Sequence, residues 1–374
     1  MADPFKPSTQ HSINPLDPKH PFLFIQDDNR ASHIQSLTIF TEAASGELRS
    51  ELTDFLDRLH ALQKLVIHWK ALDWVQLGEH GLRALVRLFS LPSLQELQVL
   101  ASGNFPLCLL RYFAGKKLCI AATTLATAVM PLFPADTEAR RLGALTDLSI
   151  VSARNIREFR TFIEWQTDKA QTCLQFVNCL RCSVSWRDVG AKPEDVMKDL
   201  GSLLLRFGAI ARDFEELRLL DWQNNSFDGP QVAQSDLVSL TTLKRLYLHL
   251  GASPKASEKT MDSMNTSLRN WLFPLLTNLP SPQVLEVIDI TFSFVVPFPW
   301  PTDLHTWMET FASELEATLD IVRFPRLQTA NLTFDLRNAH TRPYNWQAFN
   351  ATLHPARLYA RGVACVFKAQ VYRP

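Results

Sequence analysis

A hexad of apolar, two variable, apolar, variable and apolar residues recurs along the chain. It reads IQSLTI at 34–39, LQKLVI at 62–67, LQELQV at 94–99, LTDLSI at 145–150, FEELRL at 214–219 and LKRLYL at 243–248. Looser copies are GKKLCI at 115–120, LEVIDI at 285–290 and LQTANL at 327–332. The alternation at the end of each copy predicts a short strand with one buried face. Between most copies, apolar residues recur at spacings of three and four, which predicts amphipathic helices. One stripe is Leu48, Leu52, Phe55, Leu56 and Leu59, and a second is Val196, Leu200, Leu203, Leu204 and Phe207. A third is Leu268, Leu272, Leu275 and Leu276 beside Trp271, and a fourth is Trp307, Phe311, Leu315 and Leu319. Pro274, inside the third, is expected to kink or end that helix. The prolines of SLPSLQEL and RFPRLQTA mark tight turns from helix into strand.

Helix, turn, strand and loop repeated in order build a solenoid. The expected fold class is α/β: an irregular leucine-rich-repeat solenoid of about ten strand–helix units, with a parallel sheet on the inner face and the helices outside. Residues 1–21 are expected to be a flexible, proline-rich tail, 22–374 a single solenoid, and 340–374 its C-terminal cap.

The middle apolar residues of the hexads lie about 30 residues apart, but the gap from Leu148 to Leu217 is roughly double. A missing unit is expected there, and CLQFVNCLRCSVSW at 173–186 holds three of the chain's 6 cysteines. Placing Cys179, Cys182 and Val184 in the three apolar slots restores the spacing. These three then point into the core, with Ser183 and Ser185 facing out. Cysteine packs as a small hydrophobe, so the exchange with leucine is mild. The C-x-x-C spacing also occurs in zinc and redox sites, but the neighbourhood offers neither a second such pair nor a histidine pair to complete a tetrahedral site. The repeat pattern does not place Cys173.

Charge narrows the function further. Thirty-eight basic and 38 acidic residues give a net charge of zero, without a basic run, so the electrostatic drive for nucleic-acid binding is absent. No membrane span is expected, because no run of about 18 apolar residues exists. The polar N-terminus lacks the features of a secretory signal. The expected location is cytoplasmic or nuclear, with reduced cysteines and with chance sequons at Asn224, Asn265, Asn331 and Asn350. Phosphate-binding, dinucleotide-binding, serine-hydrolase and zinc-protease motifs are missing, so no enzyme activity, metal or cofactor is expected. The acidic pairs Glu215–Glu216 and Asp27–Asp28 read as solvated surface. His68 and His249 occupy matching strand positions but are many strands apart at about 5 Å per strand, too far to share a metal. Trp69, Trp186 and Trp222 trail their strands, which favours core or loop-anchoring roles.

The run LTDFLDRLHALQKLVIHW…ALDW…GLRALVRLFSLPSLQELQVL…NFPLCLLRYFAGKKLCI, continuing through CLRCSVSW, FEELRLLDW and LYARGVACVF, resembles the repeat region of divergent fungal F-box leucine-rich-repeat proteins. The likeness covers roughly residues 22 to 374. It implies a leucine-rich-repeat arc and a role in substrate recognition for a cullin-type ubiquitin ligase. The first 33 residues lack the opening and the helical stripes of an F-box, so binding to the ligase adaptor is expected only if an F-box is supplied elsewhere.

The function expected is a non-catalytic protein-interaction module, binding an unidentified protein and neither nucleic acid nor membrane. The alternatives are a scaffold with no ligase role, and an enzyme with a pocket in the 251–310 insertion, where FSFVVPFPWPTDLHTW gathers aromatics and prolines. The candidate partner-binding positions are the outward ones on the strands: Val66, His68, Gln98, Arg218, Tyr247, His249, Asp289 and Asn331.

Overall fold

A computed structural model of the chain describes residues 10–13, 31–41, 50–69, 74, 78–127, 145–152, 157–168, 177–185, 204–211, 214–224, 240–252, 272–295, 304–337 and 346–372. The fold is mixed α/β, and the chain divides into two compact units. One comprises Met1–Ser152 with Arg157–Val177, and the other Ala153–Ile156 with Asn178–Pro374.

The first unit has strands β1 (Gln10–Ile13), β2 (Ser36–Thr41), β3 (Lys64–Trp69), β4 (Glu96–Leu100), β6 (Lys117–Ala121) and β8 (Asp147–Ser152), each pairing parallel with the one before it. Parallel neighbours need a crossover. Helices α1 (Ser50–Asp57) and α2 (Gly78–Phe89) supply two of them, and α3 (Arg157–Asp168) follows β8. Between β4 and β6 the crossover is only a 3-10 helix, Leu107–Tyr112, which buries Leu107, Leu109 and Leu110. A short parallel pair, β5 (Phe105–Pro106) and β7 (Leu125–Ala126), flanks it. A 3-10 turn rises about 2 Å per residue against 1.5 Å for an α-helix, so fewer residues close this short unit.

The second unit repeats the plan with β9 (Cys179–Ser185), β10 (Glu216–Asn224), β11 (Arg245–Ala252), β12 (Val287–Val295), β13 (Thr329–Arg337) and β14 (Ala364–Tyr372). All of these pair parallel in sequence order. Its helices are α4 (204–210), α5 (272–277), α6 (Leu304–Thr318), α7 (Trp346–Thr352) and α8 (Ala356–Ala360).

The hexad accounts for the strands of both units. Its middle residues Leu37, Leu65, Leu97, Leu118 and Leu148, and Leu180, Leu217, Leu246, Ile288 and Ala330, are all buried. They sit opposite one another across each sheet. Two residues before most of these middle slots, one carbonyl accepts two N–H groups from the next unit. Gln63 and Lys64 donate to Gln35, Gln95 and Glu96 to Gln63, Lys244 and Arg245 to Glu215, and Gln328 and Thr329 to Glu286. This ladder needs no particular side chain, so the variable positions of the hexad can vary without breaking it. Gly115 takes the first apolar slot of its unit because the Phe113 ring already fills the space: a Cβ there would lie 2.4 Å from that ring and 2.7 Å from the Leu94 carbonyl.

The register of β9 corrects the sequence reading. Leu180 lies opposite Leu217, and Cys182 opposite Leu219. The Asn178 carbonyl accepts from Glu215 and Glu216, which is the same ladder rung. The hexad is therefore VNCLRC at 177–182, with Val177 and Leu180 fully buried in its first two slots. Cys179 is not a core-slot residue. It stands opposite Glu216, on the face away from the leucines. A shift of two residues leaves strand alternation unchanged, so only the first slot separates the two registers, and Cys179 imitated it at the right spacing. The side chains of Cys182, Val184, Ser183 and Ser185, and all of Cys173, lie outside the described residues, as do those of Trp69, Trp186 and Trp222.

Three further expectations change. Residues 10–13, placed in a flexible tail, form β1, with Gln10 opposite Ser36. The expected cap carries a full further unit, with Cys365 opposite Ala330 in the middle slot and Phe367 opposite Leu332. There the cysteine does act as a core residue, and burial pushes its thiol up to about 11. Pro274 does not end its helix, which runs on to 277, and the Pro274 carbonyl accepts from Asn278 at 2.8 Å.

The sheet of the second unit ends at β14, and an open edge strand is a template for pairing with another chain. Side chains close part of this edge. Asn350 on α7 accepts from the Ala369 N–H at 2.7 Å and donates to the Ala369 carbonyl at 3.2 Å, as a neighbouring strand would. The Tyr359 hydroxyl donates to the Cys365 carbonyl at 2.8 Å. Asn350→Ala is expected to promote self-association, read by light scattering as a mass that rises with concentration; an unchanged mass would contradict the edge-sealing role. The same contact gives the N-x-T sequon at Asn350 a structural use, since a glycan on its amide would displace the Ala369 carbonyl.

Candidate functional site

Each strand presents one face to the helices and another away from them, and in the second unit the away-facing residues form rows. The ladder register sets Arg181, Arg218, Tyr247, Asp289, Asn331 and Val366 side by side on the six strands. Four of the expected partner-binding residues, Arg218, Tyr247, Asp289 and Asn331, are thus brought together. All four are half-buried, while Val366 on the edge strand is 49% exposed. The row is tied across strands. The Arg218 guanidinium carbon lies 4.3 Å from the centre of the Tyr247 ring, and Asn331 donates to Asp289 at 3.0 Å.

Beside this row lies a charged cluster that sequence reading missed. Glu216 receives the Nε of Arg218, the Nε of Arg245 at 2.8 Å and the thiol of Cys179 at 3.3 Å. Lys244 and Glu215 pair at 2.6 Å on the adjacent turn. Glu216 is only 7% exposed, so the expectation of a solvated acidic pair fails for it. The reason is strand parity: Glu216 stands one residue before the middle slot, flanked in register by Cys179 and Arg245, whose side chains cover it. Burial alone would raise its pKa, but the hydrogen bonds from Arg218, Arg245 and Cys179 outweigh burial and hold it below the ordinary glutamate value. Glu96, at the equivalent place on β4, repeats the arrangement with Lys64 at 2.8 Å and Gln98 at 2.6 Å, and is also lowered. Two acids at the same hexad position, each followed two residues later by a polar donor, are the sequence signal that could have identified the cluster.

His249 lies one row further along. Its Nε2 is 2.7 Å from the Ser293 hydroxyl, which donates to Asp335 at 3.3 Å. In a hydrolytic triad the imidazole sits between hydroxyl and carboxylate. Here the hydroxyl is in the middle and is only 6% exposed, so the chain of bonds joins polar groups at the ends of three strands and offers no accessible nucleophile. The aromatics of the 251–310 insertion are also accounted for where they are described. Phe292 and Trp307 pack against Phe311 and Phe334 in the core, with ring centres 5.0 to 6.5 Å apart. Among the described residues, no three His, Cys, Asp or Glu side chains are grouped to hold a metal, and no helix is long and apolar enough to cross a membrane.

In the first unit, Val66 and Gln98 stand opposite each other, and His68 lies against Phe40 with ring centres 4.8 Å apart. Gln98 and His68 are half-buried. Val66 is only 8% exposed and is withdrawn as a partner-binding position. A short branched side chain between Thr38 and Gln98, each about 4.8 Å away across the ladder, is shaded by them.

No protein-family model matches the chain, and no curated protein matches it.

Proposed function

We propose that the chain is a leucine-rich-repeat protein of the solenoid type and acts as a non-catalytic recognition module, binding another protein on the away-facing side of the second unit's sheet. One observation carries this reading: six consecutive strands place Arg181, Arg218, Tyr247, Asp289, Asn331 and Val366 in a single row. Tyrosine and arginine are enriched among residues that dominate binding energy, and here each is held in place by a neighbour before any partner arrives. The likeness of the repeats to those of F-box substrate receptors makes substrate recognition for a ubiquitin ligase the more specific form of the proposal. Adaptor binding enters the proposal only if an F-box is supplied elsewhere.

Affinity capture with mass spectrometry from the native cell tests the proposal. The double variant Tyr247→Ala/Asn331→Ala, with an unaltered melting curve, is expected to lose the partners that the wild type retains. Equal capture by both would sink the reading. Co-capture of a cullin-ligase adaptor would separate a ligase receptor from a plain scaffold.

A further inference from the structure

We propose that Arg218 and Arg245 form a preorganised seat for a side-chain carboxylate on an acidic segment of the partner protein. The inference rests on the recognition role proposed for this face and specifies the chemistry it recognises. Arg218 and Arg245 reach the same Glu216 carboxylate, each through its Nε. Arg218 makes no other hydrogen bond among the described residues, and Arg245 has only a further 3.9 Å ion pair with Glu215. The terminal nitrogens of both forks are therefore available, on side chains 34% exposed. Those nitrogens form the edge that binds a carboxylate through two parallel bonds.

The seat is rigid before binding. Glu216 fixes both guanidinium planes, and Tyr247 lies under that of Arg218. Freezing a long side chain opposes association, and here much of that ordering precedes binding. The local charge is also unbalanced. Among the described residues, Arg218, Lys244 and Arg245 pair with Glu215 and Glu216, three cations against two carboxylates, so an incoming anion relieves repulsion among the cations. Arg181 lies opposite Arg218 on the neighbouring strand.

The test uses the full chain and three labelled ten-residue probes: glutamate-rich, lysine-rich, and a serine-rich peptide bearing one phosphoserine. Fluorescence anisotropy is expected to show salt-sensitive binding of the glutamate-rich probe alone. Arg218→Gln/Arg245→Gln should weaken it by roughly tenfold or more, and Arg218→Lys, which keeps the charge but loses the fork, should weaken it less. Arg245→Gln alone provides a readout if the double variant melts early. The inference is overturned if the glutamate-rich probe binds no better than the lysine-rich one, if the arginine substitutions leave its affinity unchanged, or if the phosphopeptide binds tighter. If any of these occurs while Tyr247→Ala/Asn331→Ala still loses its captured partners, the recognition face stands and only the carboxylate seat falls.

Discussion

Phe311→Ala is expected to destabilise the second unit by about 3–5 kcal/mol, the usual cost of removing a fully buried phenylalanine. Phe311 is 0% exposed and lies at the hub of an aromatic cluster. Its ring is edge-on to Phe292 with centres 5.0 Å apart, tilted against Trp307 at 5.5 Å and Phe273 at 5.4 Å, and edge-on to Phe334 at 6.3 Å. These residues come from α5, α6, β12 and β13, so the cavity would open where helices meet sheet. Rings held from several elements cannot all close in to fill it, which places the cost in the upper part of the range for core truncations. Urea unfolding followed by tryptophan fluorescence reads the loss, and Trp307 reports from within the cluster. Val322→Ala is the control, since Val322 is 89% exposed and its truncation should change stability by less than about 0.5 kcal/mol. A Phe311→Ala loss no larger than that of the control would mean the cluster is not the core of this unit.

Glu216→Gln is expected to cost about 1–3 kcal/mol at pH 7, the range for hydrogen bonds to a charged group, and to change how stability depends on pH. The glutamine keeps the volume but not the charge that holds two arginines. In the wild type, hydrogen bonds to Arg218, Arg245 and Cys179 outweigh burial and keep the Glu216 pKa below its ordinary 4.5. A lowered pKa means that the folded state favours the ionised form. The resulting stability is complete above about 4.5 and is lost as pH falls through the folded-state value. The stability difference between wild type and variant should therefore be large at pH 7 and shrink as the pH drops below 4.5. Glu96 behaves in the same sense in the first unit, so Glu96→Gln is the matched comparison. A difference that is constant from pH 7 to pH 3 would contradict the charged cluster.

The strands were legible because each hexad carries its own burial pattern, and ten of the buried middle slots come from residues that are leucine, isoleucine or alanine in the chain. The helices of the 47–62, 267–279 and 307–319 stripes were legible, where they are described, for the same reason. What alternation does not encode is register to within two residues, and this misplaced Cys179 at a repeat where a cysteine pair matched the spacing of Val177 and Leu180. The face was half legible. Arg218, Tyr247, Asp289 and Asn331 follow from parity once the hexads are aligned. Glu216, Arg245 and Cys179 do not, because their importance comes from contacts between strands some 30 to 40 residues apart in sequence. An acidic pair taken by itself gives no sign of whether arginines await it on the neighbouring strand; only the recurrence of the acid-x-donor pattern at the same hexad position of β4 and β10 does. Val66 failed for a simpler reason: on an interior strand, a short outward side chain is covered by the side chains of the strands on both sides.

The most direct test of the recognition face is site-specific photo-crosslinking in the native cell. A photoreactive amino acid placed at Asn331, one strand in from the edge of the row, is compared with one at Val322, which is 89% exposed on the loop after α6. The account expects a discrete crosslinked partner from position 331 and none from position 322. Crosslinks from 322 with none from 331 would place the binding surface elsewhere and contradict it.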